Sequence, residues 1–338
     1  MKKFLFSVFA VGALVACTKS EVKFEGETEI AFSPVTSTAT KANVYGAIDG
    51  TAYPTGETFY VWGYWQDVPA GNNNSAFTDP KTYINGQAFK YASGQLWQGR
   101  DKSYYWPKTG SMIFAALSPV GAPVRVYDNY PISATHKLSE NKFLFEYDNP
   151  YETHKTVDLL WANNTVSYSE ATAGTEGVPV KFNHALSWIT FRVKGESVTQ
   201  DGGFKINSLT LNSVQTKAQF NSLGNGSWAG YENAFKDYVV FTDNLNGSQN
   251  LTGALVDLEN TPKGTLVIPQ SKTTDYTATL KYTNYLGDTP IVETIELKLG
   301  TGWEIGKHYI YNITFTPTEI LLKPEVAEWV PEETTFEF

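Results

Sequence analysis

Thr58-Phe59-Tyr60-Val61-Trp62-Gly63-Tyr64-Trp65 decides how the chain is read. Aromatic and β-branched side chains fit a pleated, half-buried strand better than any other backbone. Here they occupy odd and even positions alike, so both faces of this strand are apolar. Further along, Lys142 to Tyr147, Val178 to Phe182, Trp188 to Val193 and Lys205 to Leu211 alternate apolar and polar residues. The same alternation runs through Tyr276 to Tyr282, Ile291 to Leu299 and Tyr309 to Phe315. Ser111 to Leu117, apolar from Met112 on, reads as a buried strand and is expected to end at Pro119. Asn85-Gly86, inside Tyr83 to Phe89, predicts a type I′ hairpin turn, because both residues accept positive φ. Asn72 to Ser75 reads as a loop tip. Beyond the N-terminus no 3.6-residue period is sustained, so helix is limited to a turn or two. Strands spaced by Gly, Asn and Pro predict an all-β chain, built as sandwiches or, alternatively, as a barrel.

Composition narrows the classes further. The chain has 338 residues, enough for two domains. Aromatics make up 14% and charged residues only 18%, which excludes a coiled coil or a charge-rich disordered chain. The net charge of −9 supplies no basic face for phosphates, so no nucleic-acid partner is expected. The polar stretch Ser167 to Gly177 suggests a boundary. The resulting division is 1–17 signal, 18–41 tether and N-terminal strand, 42–177 and 178–317 the two β-sandwich domains, and 318–338 a C-terminal segment.

The N-terminus sets the compartment. Lys2 and Lys3 precede an uncharged run from Phe4 to Ala16. That run is short of the roughly 20 residues a spanning helix needs, and it fits the core of a secretory signal. It ends Leu14-Val15-Ala16-Cys17, similar to the lipobox of bacterial lipoproteins. The chain's single cysteine, Cys17, stands at the lipidation position, which also excludes an internal disulfide. The expected product carries diacylglycerol and palmitate on Cys17 and needs no other cofactor. Losing Lys2 and Lys3 leaves 24 basic against 35 acidic residues, a net of −11. Thr18 follows the cysteine, so an outer-membrane lipoprotein on the cell surface is expected, with outer-membrane lipid as a partner.

Catalytic signatures are sparse. His136, His154, His184 and His308 have no metal-ligand spacing, and each reads as a structural histidine. Ser139-Glu140-Asn141-Lys142 matches SxxK without its companion motifs, and its residues suit a turn. No catalytic residue and no metal ligand is assigned, and the chain is not expected to be an enzyme. Trp62, Tyr64, Trp65, Trp97, Tyr104, Tyr105 and Trp106 crowd the first half. They read chiefly as core, and alternatively as a platform for surface glycans.

The two ends carry the remaining signal. Ile30 and Phe32 share one face of a short strand, followed by the open, polar stretch Pro34 to Ala42. At the other end lie Ile320, Leu322, Pro324, Val326 and Trp329, then Phe336 and Phe338 on one face. Pro324 suits an edge strand or a break, because it cannot donate to a ladder. Either both ends pair within their own sheets, or an N-terminal strand is removed and a neighbour's C-terminal strand replaces it.

Several pieces together resemble the fimbrillin family, the type V pilins and fimbrillin-like lipoproteins of Gram-negative gut and oral bacteria. They are the Cys17 lipobox, Ile30-Ala31-Phe32 followed by Thr40-Lys41-Ala42, Val157-Asp158-Leu159-Leu160-Trp161-Ala162 and Val180-Lys181-Phe182-Asn183-His184-Ala185-Leu186-Ser187. Leu266-Val267-Ile268-Pro269-Gln270, Trp303 to Ile313 and Val326-Ala327-Glu328-Trp329 complete the set. The resemblance implies two tandem transthyretin-like β-sandwich domains and a fimbrium assembled from like or unlike fimbrillin-type subunits. It implies that a trypsin-like protease removes the strand holding Ile30 and Phe32, here after Lys41, leaving Ala42 as the mature start. The first arginine is Arg100, so Lys19, Lys23 and Lys41 are the basic residues available to such a cut. The donor would lie within Ile320 to Phe338, using Ile320, Leu322, Val326, Trp329, Phe336 and Phe338. A tip member would also bind a host or bacterial surface glycan or protein.

Overall fold

In this computed structural model the described residues are 28–36, 53, 55–67, 80–120, 134–137, 142–150, 157–167, 177–195, 203–243, 249–251, 253–258, 264–316 and 318–329. The strands in chain order begin with β1 Phe32–Thr36, β2 Thr58–Gln66, β3 Lys81–Ser93, β4 Leu96–Gly99, β5 Ser111–Val120, β6 Ala134–Lys137 and β7 Lys142–Asp148. Next come β8 Leu160–Ser167, β9 Val178–His184, β10 Ser187–Gly195, β11 Phe204–Gln215, β12 Lys217–Asn221, β13 Ser227–Ala229 and β14 Phe235–Thr242. The last are β15 Gln249–Asn250, β16 Val256–Asp257, β17 Thr265–Val267, β18 Gln270–Asn284, β19 Ile291–Trp303, β20 Lys307–Phe315 and β21 Ile320–Glu328. The all-β expectation holds among the described residues.

The first sheet closes on itself, in the order β1-β4-β3-β2-β5-β8-β9. Its interior is filled by Phe32, Phe59, Val61, Ile84, Phe89, Phe114, Val180 and Phe182. The continuous apolar run of β5 has a simple cause. Met112, Phe114 and Ala116 face the barrel interior, while Ile113, Ala115 and Leu117 face a second core outside it. β2 behaves alike, with Phe59 and Val61 inside and Tyr64 outside. The outer core is covered by a four-stranded sheet, β13-β12-β7-β6, which supplies Phe143, Phe145, Ala218 and Phe220.

The remaining strands form two sheets that enclose a third core. One is β16-β10-β20-β21 with β17 also on β10, and the other is β14-β11-β18-β19 with β15 on β11. Ile189, Phe191, Tyr311 and Ile313 from the first meet Leu209, Leu211, Tyr238, Ala278 and Leu280 from the second, as in a sandwich. Strand pairing does not break after Gly177. β9 pairs with β1 and β8 in the barrel, and β12 pairs with β7 across the two halves.

Two local expectations are corrected. Asn85-Gly86 does not turn the chain, since β3 runs through it. Val61 pairs with Gln87 and Gly63 with Ile84, so Asn85 and Gly86 together oppose Trp62. Gly86 at φ 59° therefore forms a β-bulge, another structure that uses the left-handed region. The two-residue turn lies instead at Gly94-Gln95, between β3 and β4, with φ of 57° and 64°. Pro119 does not end β5, which reaches Val120 at its pairing with Thr58. Asn72 to Ser75 and Ser139 to Asn141 lie outside the described residues.

Candidate strand-exchange site

β1 closes the barrel. On one side Phe32 pairs antiparallel with Trp97 of β4. On the other, Phe32 to Thr36 run parallel to Val178 to Phe182 of β9. The barrel's other strand pairs are antiparallel, so β1 supplies its one parallel seam. β8 and β9 themselves share only the pairs Leu160–His184 and Trp161–Asn183. Just before the strand, Ile30 N–H donates to the Tyr104 carbonyl at 2.7 Å, and Trp106 N–H to the Thr28 carbonyl at 3.0 Å. Val178 N–H donates to the Ala31 carbonyl at 2.7 Å.

The side chains explain why this strand sits there. Ile30 and Phe32 are both 0% exposed. The Phe32 ring meets Phe89, Phe114 and Phe59 edge-on, with centroids at 4.9, 5.1 and 6.0 Å. Such edge-to-face pairs add to the area term of burial. Tyr53, the next described residue after β1, stacks on Phe182 of β9 at 5.0 Å. Its hydroxyl donates to the Thr58 carbonyl at 3.0 Å and lies 2.8 Å from Ser118 Oγ. Burial raises the Tyr53 hydroxyl far above its ordinary range, so it stays protonated.

The C-terminal residues divide. β21 pairs antiparallel with β20 from Ile320–Phe315 to Glu328–Lys307 and forms the edge of its sheet, as Pro324 suggested. Ile320 and Leu322 pack on the third core. Val326 is 62% exposed, whereas Trp329 is 2% exposed. Trp329 lies flat on His184, with centroids 3.8 Å apart at 9°. His184 Nδ1 in turn lies 2.8 Å from Asp158 Oδ2, both side chains being buried. Trp188 stacks on His308 at 3.6 Å and 9° and tilts toward Trp329 at 5.5 Å. Thr190 Oγ1 is 2.9 Å from His308 Nε2, and burial with the nearby Arg192 lowers His308 to about 4. Four separate sequence pieces thus meet at one junction: Asp158, His184, His308 and Trp329. Their partnership was not readable in advance, because between 26 and 171 residues separate them from Asp158 along the chain.

Cys17, Lys41, Ala42, Phe336, Phe338, Lys19, Lys23 and His154 lie outside the described residues. Among the first-half aromatics, Tyr64, Trp97 and Trp106 are buried, while Trp62, Trp65 and Tyr104 pack against the cores. Tyr105 is 40% exposed. Core packing therefore accounts for most of that cluster. Among the described residues no three His, Cys, Asp or Glu side chains are grouped to hold a metal ion.

Comparison with known proteins adds the family. A family model described as fimbrillin-like matches residues 40–329. The chain belongs to that family. The fimbrillin-like match begins beyond β1 and ends at Trp329. In fold it is similar to a fimbrial protein from Bacteroides vulgatus, at a TM-score of 0.62 and 16% identity over 89% of this chain and 99% of that one. A candidate cell adhesion protein from Bacteroides uniformis gives a TM-score of 0.52 at 16% identity, covering 89% of this chain and 98% of that one. No curated protein matches the sequence.

Proposed function

We propose that this fimbrillin-like chain is a structural and adhesive subunit of a cell-surface fimbrium, not an enzyme. In this reading it is exported as an outer-membrane lipoprotein acylated at Cys17. A trypsin-like protease then cuts after Lys41 and releases the strand carrying Ile30 and Phe32. Another fimbrillin-type subunit fills the vacancy with its own C-terminal strand. The sandwich around Phe191 and Tyr311 supports a transthyretin-like second half, whereas the first sheet closes as a barrel and β12 pairs with β7 across the halves.

The observation that carries the reading is the position of β1. It is a five-residue strand at the N-terminal end of the barrel, wedged between β4 and β9, with Phe32 at the centre of the core. Removing it would leave two unpaired strand edges and an apolar groove, the features that invite strand addition. A donor would restore main-chain hydrogen bonds and bury alternate apolar side chains at about 25 cal/mol per Å². Ile320, Leu322 and Trp329 are already committed to this chain's own cores. In this reading the donor lies within Ile320 to Phe338, and Phe336 and Phe338 would be its groove-filling pair.

Limited trypsin treatment of the purified chain tests this. Cleavage after Lys41 should be followed by SDS-resistant ladders, and Lys41→Ala should yield neither. A chain cut at Lys41 that stays monomeric at high concentration would contradict strand exchange.

A further inference from the structure

Away from β1, the β12–β13 hairpin, the start of β18 and the turn between β19 and β20 line an open cleft of about 780 Å³. That is within the roughly 300–1,000 Å³ of small-ligand sites. Much of its wall is aromatic: Trp228, Tyr231, Phe235, Tyr276 and Trp303. Tyr276 and Trp303 are buried and stacked at 4.3 Å, with the Lys272 ammonium 4.1 Å from the Tyr276 ring centre. Tyr231 and Phe235 are different, being 46% and 49% exposed. Exposed large rings beside a cleft call for an explanation, because a water-facing ring forgoes the gain of burial.

The wall is held in place before any ligand arrives. Tyr231 Oη donates to the Pro269 carbonyl at 2.7 Å, and Trp228 Nε1 to the Ala185 carbonyl at 2.6 Å. Gly226, at φ 70°, lets the hairpin lie on Trp161, since a Cβ there would stand 2.4 Å from that ring. On the opposite side the β18–β19 ladder breaks. Ser271 pairs with Gly302 and Tyr276 with Gly300, so Lys272 to Asp275 oppose the single Thr301. Bulges of this kind re-aim side chains and are frequent beside binding sites. The charged lining consists of one ammonium, Lys272, and one carboxylate, Glu304, which balance. Ser213, Ser227 and Ser271 also line it, while the amide N–H groups of Gln215 and Gln270 are spent on the Lys217, Glu232, Gln215 and Ile268 carbonyls and hold the floor in place.

We propose that this cleft binds a neutral oligosaccharide. A pyranose ring offers an apolar C–H face for Tyr231 and Phe235 and a rim of hydroxyls that both donate and accept. The lining matches that mixture, and its balanced charge favours a neutral sugar over a uronate. The site is independent of the strand-exchange reading, since no residue of β1, β4 or β9 lines it.

The test titrates the full chain separately with maltotetraose, cellotetraose, mannotetraose and tetragalacturonate by calorimetry. At least one neutral sugar should bind saturably. Tyr231→Ala and Phe235→Ala should each weaken it roughly tenfold, the loss of one stacking contact. Phe235 is half-exposed, so Phe235→Ala should keep the parent circular dichroism and melting temperature, and Tyr231→Phe, which loses only the bond to the Pro269 carbonyl, should keep the affinity and so separates stacking from support of the wall. Tyr105→Ala, which removes an exposed aromatic in the first half, should leave affinity unchanged. The proposal is overturned if no neutral tetrasaccharide saturates. It is equally overturned if binding survives the double variant, if Tyr105→Ala weakens it as much, or if tetragalacturonate binds best.

Discussion

Phe32 shows how much one side chain settles. It is fully buried, and three phenylalanine rings meet it edge-on. Phe32→Ala would remove those contacts and leave a cavity, at a cost of roughly 3–5 kcal/mol. Urea unfolding should show a lower midpoint with an unchanged slope. His308 makes a second residue-scale prediction. Burial, then Arg192, lowers it from the ordinary imidazole value of 6.5 to about 4. Between those values the unfolded chain binds a proton that the folded chain refuses, so stability rises with pH. The contribution is complete above about pH 6.5 and is lost as pH falls toward 4. His308→Gln should therefore flatten the stability profile between pH 7 and 4.5 by roughly 2–3 kcal/mol, read from urea midpoints at the two pH values.

At the scale of elements, β1 is a short strand doing two jobs. It pairs with β4 and β9, and Phe32, with Ile30 just before the strand, plugs the barrel interior. A chain beginning at Ala42 should expose that groove. It should bind anilinonaphthalene sulfonate strongly and melt several degrees below the full chain. A synthetic peptide of residues 28–36 added in excess should reverse both changes. Most elements were legible from their sequence because strand alternation is local. β9 reads apolar at Val178, Val180 and Phe182, and these residues do line the barrel. β2 and β5 read apolar on both faces because each separates two cores. Asn85-Gly86 misled because a positive φ serves a bulge as well as a turn, and only the pairing partner decides between them. The parallel seam between β1 and β9 and the pairing of β12 with β7 were not legible. Both depend on partners more than sixty residues away, and local pattern carries no information about them.

For the molecule as a whole, fold and family agree with an assembling surface protein. The family match stops at Trp329, the residue whose ring caps His184 at the junction of β9 with β10. A subunit built this way presents a barrel plugged by its own N-terminal strand. Strand replacement would make each joint bimolecular in origin but slow to reverse, because release requires reopening a core. The most direct test is the intact mass and N-terminal sequence of the protein recovered from sheared surface fibres. The expected result is a start at Ala42 in SDS-resistant ladders. A start at acylated Cys17, recovered only as monomer, would contradict it.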